Sequence, residues 1–71
     1  MNIAIWGTGT FGKYIEYQLR SNGAYSIRYF VDSSKATSGQ KINGREVISP
    51  ERLQEIYADE LDFVLVAFLN G

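Results

Sequence analysis

The sequence predicts an α/β fold, a partial doubly wound parallel sheet in three layers with its strands in the order 3-2-1-4. Three observations predict it. A short apolar run over residues 2–6 stops at a glycine-rich turn, Gly7 to Gly12, and gives way to a helical period. A second apolar run over residues 26–31 stops at Asp32. A third, Phe63 to Leu69, is apolar throughout, the pattern of a strand covered on both faces. β-favouring runs that alternate with helical stretches and are joined by right-handed crossovers build a parallel sheet.

Taken in order, Asn2 to Trp6 is the first strand. From Thr10 to Asn22 the apolar period lengthens: Phe11, Ile15 and Leu19 recur at four-residue intervals with Tyr14 beside them, and Asn22-Gly23 supplies the stop of a helix. Residues 26–31 form the second strand. The polar stretch from Ser33 to Gly44 holds Gly39 and Asn43-Gly44, so it reads as a loop or as a segment containing a hairpin turn. Val47-Ile48 suggests a very short third strand. Ser49 suits the cap and Pro50 the first position of a second helix, on which Leu53, Ile56 and Tyr57 share a face. The last run is the fourth strand, expected beside the first at the centre of the sheet. With only two helices, one face of such a sheet cannot be fully covered, so it reads as incomplete. Residues 1–71 are then a single domain, expected to be a portion of a longer protein, completed by a further domain of the same chain or by a homo-oligomer.

Length and composition narrow the chemistry. A chain of 71 residues buries only about 60% of the surface its unfolded form exposes, which leaves it marginally stable on its own. A formal net charge of -1 gives no electrostatic reason to bind nucleic acid or an anionic membrane. With no cysteine and no histidine, disulfides, Cys/His zinc sites, thiol nucleophiles and a histidine base are excluded, and no metal is expected. The N-terminal residues lack a basic region before the glycines, and the longest apolar run falls far short of the roughly 20 residues a membrane helix needs. A cytoplasmic protein is the expectation.

The loop Gly7-Thr8-Gly9-Thr10-Phe11-Gly12-Lys13 admits two readings. As a triphosphatase loop it needs Ser or Thr after the lysine to hold magnesium, and Tyr14 stands there instead. As a G-x-G-x-x-G dinucleotide turn it needs a preceding strand, a following helix and an acid about 20 residues on, at the end of the second strand. Asp32 meets that last requirement. Gly7 then permits the tight turn, Gly9 lets a phosphate approach the backbone without meeting a Cβ, and Gly12 lets helix and strand pack closely. The helix N-terminus faces the phosphate, and Asp32 accepts from a ribose diol. Its charge would repel a 2′-phosphate, so NADP is expected to bind worst. The expected nucleotide contacts are Gly7, Thr8, Gly9, Thr10, Phe11 and Gly12, with Asp32 and Ser33.

The stretches "IAIWGTGTFGKYIEYQL", "YFVDSS", "GQKINGREVISPERL" and "DFVLVAF" together cover nearly the whole chain. They resemble the N-terminal Rossmann-like nucleotide-binding domain of bacterial sugar-modifying proteins: acetyltransferases acting on UDP-linked amino sugars, polysaccharide-biosynthesis dehydratases, and sugar-pathway methyltransferases and glycosyltransferases. Thr10 stands where the acetyltransferase loop usually has a further glycine. The resemblance implies that Gly7, Gly9, Gly12 and Asp32 contact a UDP-sugar or NAD. It also implies that the chain serves a transferase of carbohydrate biosynthesis whose catalytic residues lie outside it. The alternative is a non-enzymatic module that senses a nucleotide or mediates assembly, its glycine loop a relic.

Other residues carry weaker signals. Trp6 either packs in the core or lines the nucleotide pocket. Lys13 reaches a phosphate or points to solvent. Ser33, Ser34 and Lys35 select the nucleotide or form a solvated turn. Asn70 is a further candidate contact at the end of the last strand. Glu51, Glu55, Asp59 and Glu60 read as a solvated helix face.

Overall fold

A computed structural model describes residues 1–68. The elements run β1 (Asn2–Trp6), α1 (Thr10–Leu19), β2 (Ser26–Val31), α2 (Ser33–Thr37), β3 (Lys41–Ile42), β4 (Arg45–Ile48), α3 (Pro50–Glu60) and β5 (Phe63–Val66). The sheet has five strands in the order β3-β4-β2-β1-β5. β1 pairs in parallel with β2 and with β5, and β2 pairs in parallel with β4. β3 runs antiparallel to β4 at the edge.

The four expected strands lie as β4-β2-β1-β5, the expected order 3-2-1-4, but the sheet as a whole differs: it is mixed and one strand wider, with β3 added outside β4. The added strand comes from the polar stretch. Asn43 and Gly44 both take positive φ, 50° and 79°, and turn the chain back between β3 and β4, the geometry of a two-residue hairpin. β5 does lie against β1, but at the sheet's edge and not its centre. Its Phe63, Val64 and Leu65 are half-buried and Val66 is 61% exposed. The last expected residue of that strand, Leu69, lies outside the described residues.

Alternation along β1 divides the core in two, because successive side chains of a strand point to opposite faces. Ile3 and Ile5 join Ile27, Phe30 and Val47 on one face, with Ile15 and Leu19 of α1 packed against them. Ala4 joins Val31 and Ile48 on the other face, with Leu53 and Ile56 of α3. Helices thus cover both faces, giving three layers. α3 begins as the sequence predicts, with Pro50 in the first turn and the Ser49 hydroxyl accepting from the Arg52 N–H at 3.0 Å. Tyr57, expected on its apolar face, is exposed.

α1 is rotated from its expected face. Phe11 and Tyr14 are exposed, while Gly12 and Glu16 are buried with Ile15 and Leu19 turned inward. Glu16 is 0% exposed, and its charge is met on three sides. Arg20 lies one turn along the helix, Asn43 Nδ2 donates at 2.7 Å from the hairpin turn, and Arg45 Nε donates at 3.1 Å from β4. Arg45 also donates to the Ile27 carbonyl at 2.8 Å, so one carboxylate fastens helix, hairpin and central strand. A buried carboxylate is tolerated only with such partners. No helix among the described residues is long and apolar enough to cross a membrane.

Candidate functional site

The carboxyl ends of β1, β2 and β5 meet the start of α1 around a cleft of about 680 Å³. Gly7 ends β1 with φ +133°, a conformation that side chains rarely adopt, and a Cβ there would stand 2.6 Å from the Ala67 carbonyl oxygen. Gly12, in the first turn of α1, has its Cα against the same turn: a Cβ would fall 2.0 Å from the Gly7 carbonyl oxygen. Packing alone demands glycine at both positions.

Gly9 is different. Its φ is -76° and nothing lies within 4 Å of where a Cβ would be. It caps α1 through its backbone alone, its carbonyl accepting from the Lys13 N–H at 3.0 Å, with no capping side chain and no acid in the first turn. Gly9, Thr10 and Phe11 are exposed along the cleft. The first amides of the helix, which have no partner within it, and its positive dipole end are thus left open to an anion.

Across from this turn, Asp32 ends β2. Its Oδ1 accepts from the Lys35 backbone N–H at 2.9 Å and from the Ser34 hydroxyl at 3.0 Å, capping α2. Its Oδ2 accepts from the Thr8 hydroxyl at 3.0 Å. The Lys35 N–H above all, with the hydroxyls and the Lys35 charge, outweighs partial burial and holds the Asp32 carboxyl below its usual range, so it is ionised. Thr8 is only 3% exposed and also accepts from Lys35 Nζ at 2.9 Å. Trp6, half-buried, sits at the cleft wall with its ring centroid 6.1 Å from that of Phe68.

Of the residues expected to contact a nucleotide, Gly7, Thr8, Gly9, Thr10, Phe11, Asp32 and Ser33 border this one cleft. Gly12 does not, and is buried beneath the turn. Lys13 is exposed and does not line the cleft. Lys35 supplies a cation there instead. Ala67, at the carboxyl end of the last strand where ligands bind in open α/β sheets, and Pro50, which the sequence marks only as a helix start, also wall the cleft. They arrive through strand pairing. Asn70 lies outside the described residues. Among the described residues no group of three or more His, Cys, Asp or Glu side chains is placed to hold a metal.

Glu60, expected to be solvated, accepts from the Tyr29 hydroxyl at 2.6 Å and so ties α3 to β2. No curated protein and no solved structure matches the chain. A family model described as C2185-like, N-terminal, matches residues 1–70.

Proposed function

The chain belongs to the C2185-like N-terminal family, and from that premise we propose that it is a Rossmann-like domain that holds a nucleotide or nucleotide-sugar. The diphosphate lies over the start of α1 and a ribose hydroxyl lies on Asp32. One observation carries the reading: Gly9 is a glycine the fold does not need. Gly7 and Gly12 are explained by the backbone atoms beside them, but at Gly9 both the φ and the empty space would accept a side chain. A ligand approaching the backbone at that point supplies the missing reason. The resemblance to sugar-modifying proteins supports UDP-sugar or NAD as the ligand, and a carbohydrate-biosynthesis transferase with its reaction centre elsewhere as the setting.

The second reading, an assembly module with a relic loop, is favoured by Asp32 alone, whose carboxylate is already engaged as the cap of α2 and the partner of Thr8. Calorimetric titration with UDP, a UDP-sugar and NAD, wild type beside Gly9→Ser, separates the two. The nucleotide reading expects at least one ligand to bind the wild type and the variant to lose it while remaining folded. If all three fail to bind folded wild-type protein, the relic reading stands.

A further inference from the structure

We propose that Lys35 is a specificity-determining residue that adapts the cleft to a nucleotide carrying a phosphate on its ribose, an inference that rests on the nucleotide reading above. The expectation that a ribose phosphate is rejected counts the charge of Asp32 alone. In the folded chain an ammonium stands beside that carboxylate. Lys35 Nζ and Asp32 Oδ2 both bond to the same hydroxyl, Thr8 Oγ1, the ammonium donating to it at 2.9 Å and the carboxylate accepting from it at 3.0 Å.

Thr8 is buried, so this hydroxyl is held in place. By donating to Asp32 it turns its lone pairs toward Lys35. The lysine stem is half-buried and lines the cleft. Among the described residues Lys35 forms no ion pair, whereas Arg20, Arg45 and Arg52 all do. An ammonium has three N–H donors, and one is used on Thr8. The others remain for an anion arriving in the cleft.

The carboxylate is correspondingly constrained. Asp32 Oδ1 is taken by the Lys35 N–H and the Ser34 hydroxyl, while Oδ2 has only Thr8. Oδ2 thus keeps a lone pair for one ribose hydroxyl, and a ribose seated there has the Lys35 ammonium only one shared hydroxyl away. A phosphomonoester on that ribose meets charge-assisted donors. The Asp32–Lys35 couple carries no net charge to repel it. The shared chemistry is a ribose-borne phosphate. It has two sources, a 2′-phosphate as in NADP or a 3′-phosphate as in 3′-phosphoadenosine nucleotides.

The test is a calorimetric titration of the folded chain with 5′-AMP, adenosine 2′,5′-bisphosphate, adenosine 3′,5′-bisphosphate and UDP, for wild type, Lys35→Met and Lys35→Arg. Melting curves of each variant establish that it is folded. We expect one bisphosphate to bind about tenfold or more tighter than AMP. Lys35→Met should abolish that advantage with little change for AMP, and Lys35→Arg should keep most of it. Which bisphosphate is preferred identifies the source. The proposal is overturned if AMP binds wild type as well as both bisphosphates do, or if the advantage survives in Lys35→Met. UDP binding with no adenosine phosphate bound also overturns it, but leaves the nucleotide reading intact. No binding of any probe, with NAD and UDP-sugar also silent, removes both.

Discussion

Gly12 stands directly on Gly7: the carbonyl oxygen of the first glycine occupies the place, 2.0 Å away, where a side chain on the second would begin. Neither atom can yield, since one ends a central strand and the other lies in the first turn of a helix. Gly12→Ala should therefore lift α1 off the sheet and cost about 3 kcal/mol or more, at the upper end for overpacking. For a chain this small that is enough to leave a large unfolded fraction. Circular dichroism at 25 °C and a urea melt read it out, and a native-like melt of Gly12→Ala would contradict the packing described.

Gly9 should behave in the opposite way. Serine at a helix cap is preferred to glycine by a few tenths of a kcal/mol, and losing a glycine also restricts the unfolded chain, worth about 0.4–1 kcal/mol where the backbone is compatible. Gly9→Ser should melt at or above the wild-type temperature while its nucleotide titration goes flat. A destabilised variant would show that the fold does need this glycine.

Acid should expose the role of Glu16. Its hydrogen bonds from Arg20, then from Asn43 and Arg45, outweigh its burial and lower its pKa from 4.5 to about 2. A carboxyl with a depressed folded-state pKa contributes stability that is present above its unfolded value and lost as pH falls through the folded one. Between pH 5 and pH 2 the unfolding free energy should drop by about 3 kcal/mol from this group. Glu16→Gln should be less stable at neutral pH by about 3 kcal/mol, because Arg45 loses its partner in a partly buried place. It should also show a flatter acid limb. Urea melts at several pH values measure both, and parallel acid limbs would exclude Glu16 as the group responsible.

The outer edge of β5 should make the isolated chain self-associate. Among the described residues this strand pairs on one side only, it carries no charged residue or proline, and Val66 is exposed beside an apolar groove of about 710 Å³ that includes Trp6, Leu53 and Tyr57. Natural edge strands are usually guarded by charge, proline or a covering element. Sedimentation at micromolar concentration should show association in wild type and less of it in Val66→Lys. A stable wild-type monomer would mean the edge is guarded in some other way.

What was legible in the sequence follows from local chemistry. The glycine loop, the Ser49-Pro50 helix start and the acid at the end of β2 were readable because each is specified within a few residues. The Asn43-Gly44 turn was readable too, yet its consequence was not. A two-residue strand such as β3 shows no period of its own and forms only because β4 is there to pair with. The apolar period of α1 places Ile15 and Leu19 correctly but misplaces Phe11 and Tyr14, because Gly12 and Glu16, buried in their stead, score low on any apolar scale. The helix is oriented instead by the contact of Gly12 with Gly7, and by a carboxylate whose partner Arg45 is 29 residues away. α2 is a five-residue polar helix, SSKAT, that no apolar pattern announces. The apolar run of β5 reads as burial in the centre of a sheet, whereas among the described residues it forms an edge.

The pairing of β1 with β5 has a consequence for the order in which the molecule comes into being on the ribosome. Asn2 donates to the Asp62 carboxylate at 2.6 Å across a separation of 60 residues, and Gly7 abuts Ala67 further along the same pair of strands. The glycine turn is thus synthesised well before its backing wall, which follows some 60 residues later. Closing so long a loop precedes any reward from the contact. A nascent chain that ends before Phe63 carries every glycine of the motif and lacks the wall behind them. Ligand capture would therefore report that synthesis has passed β5, not merely that the motif has emerged.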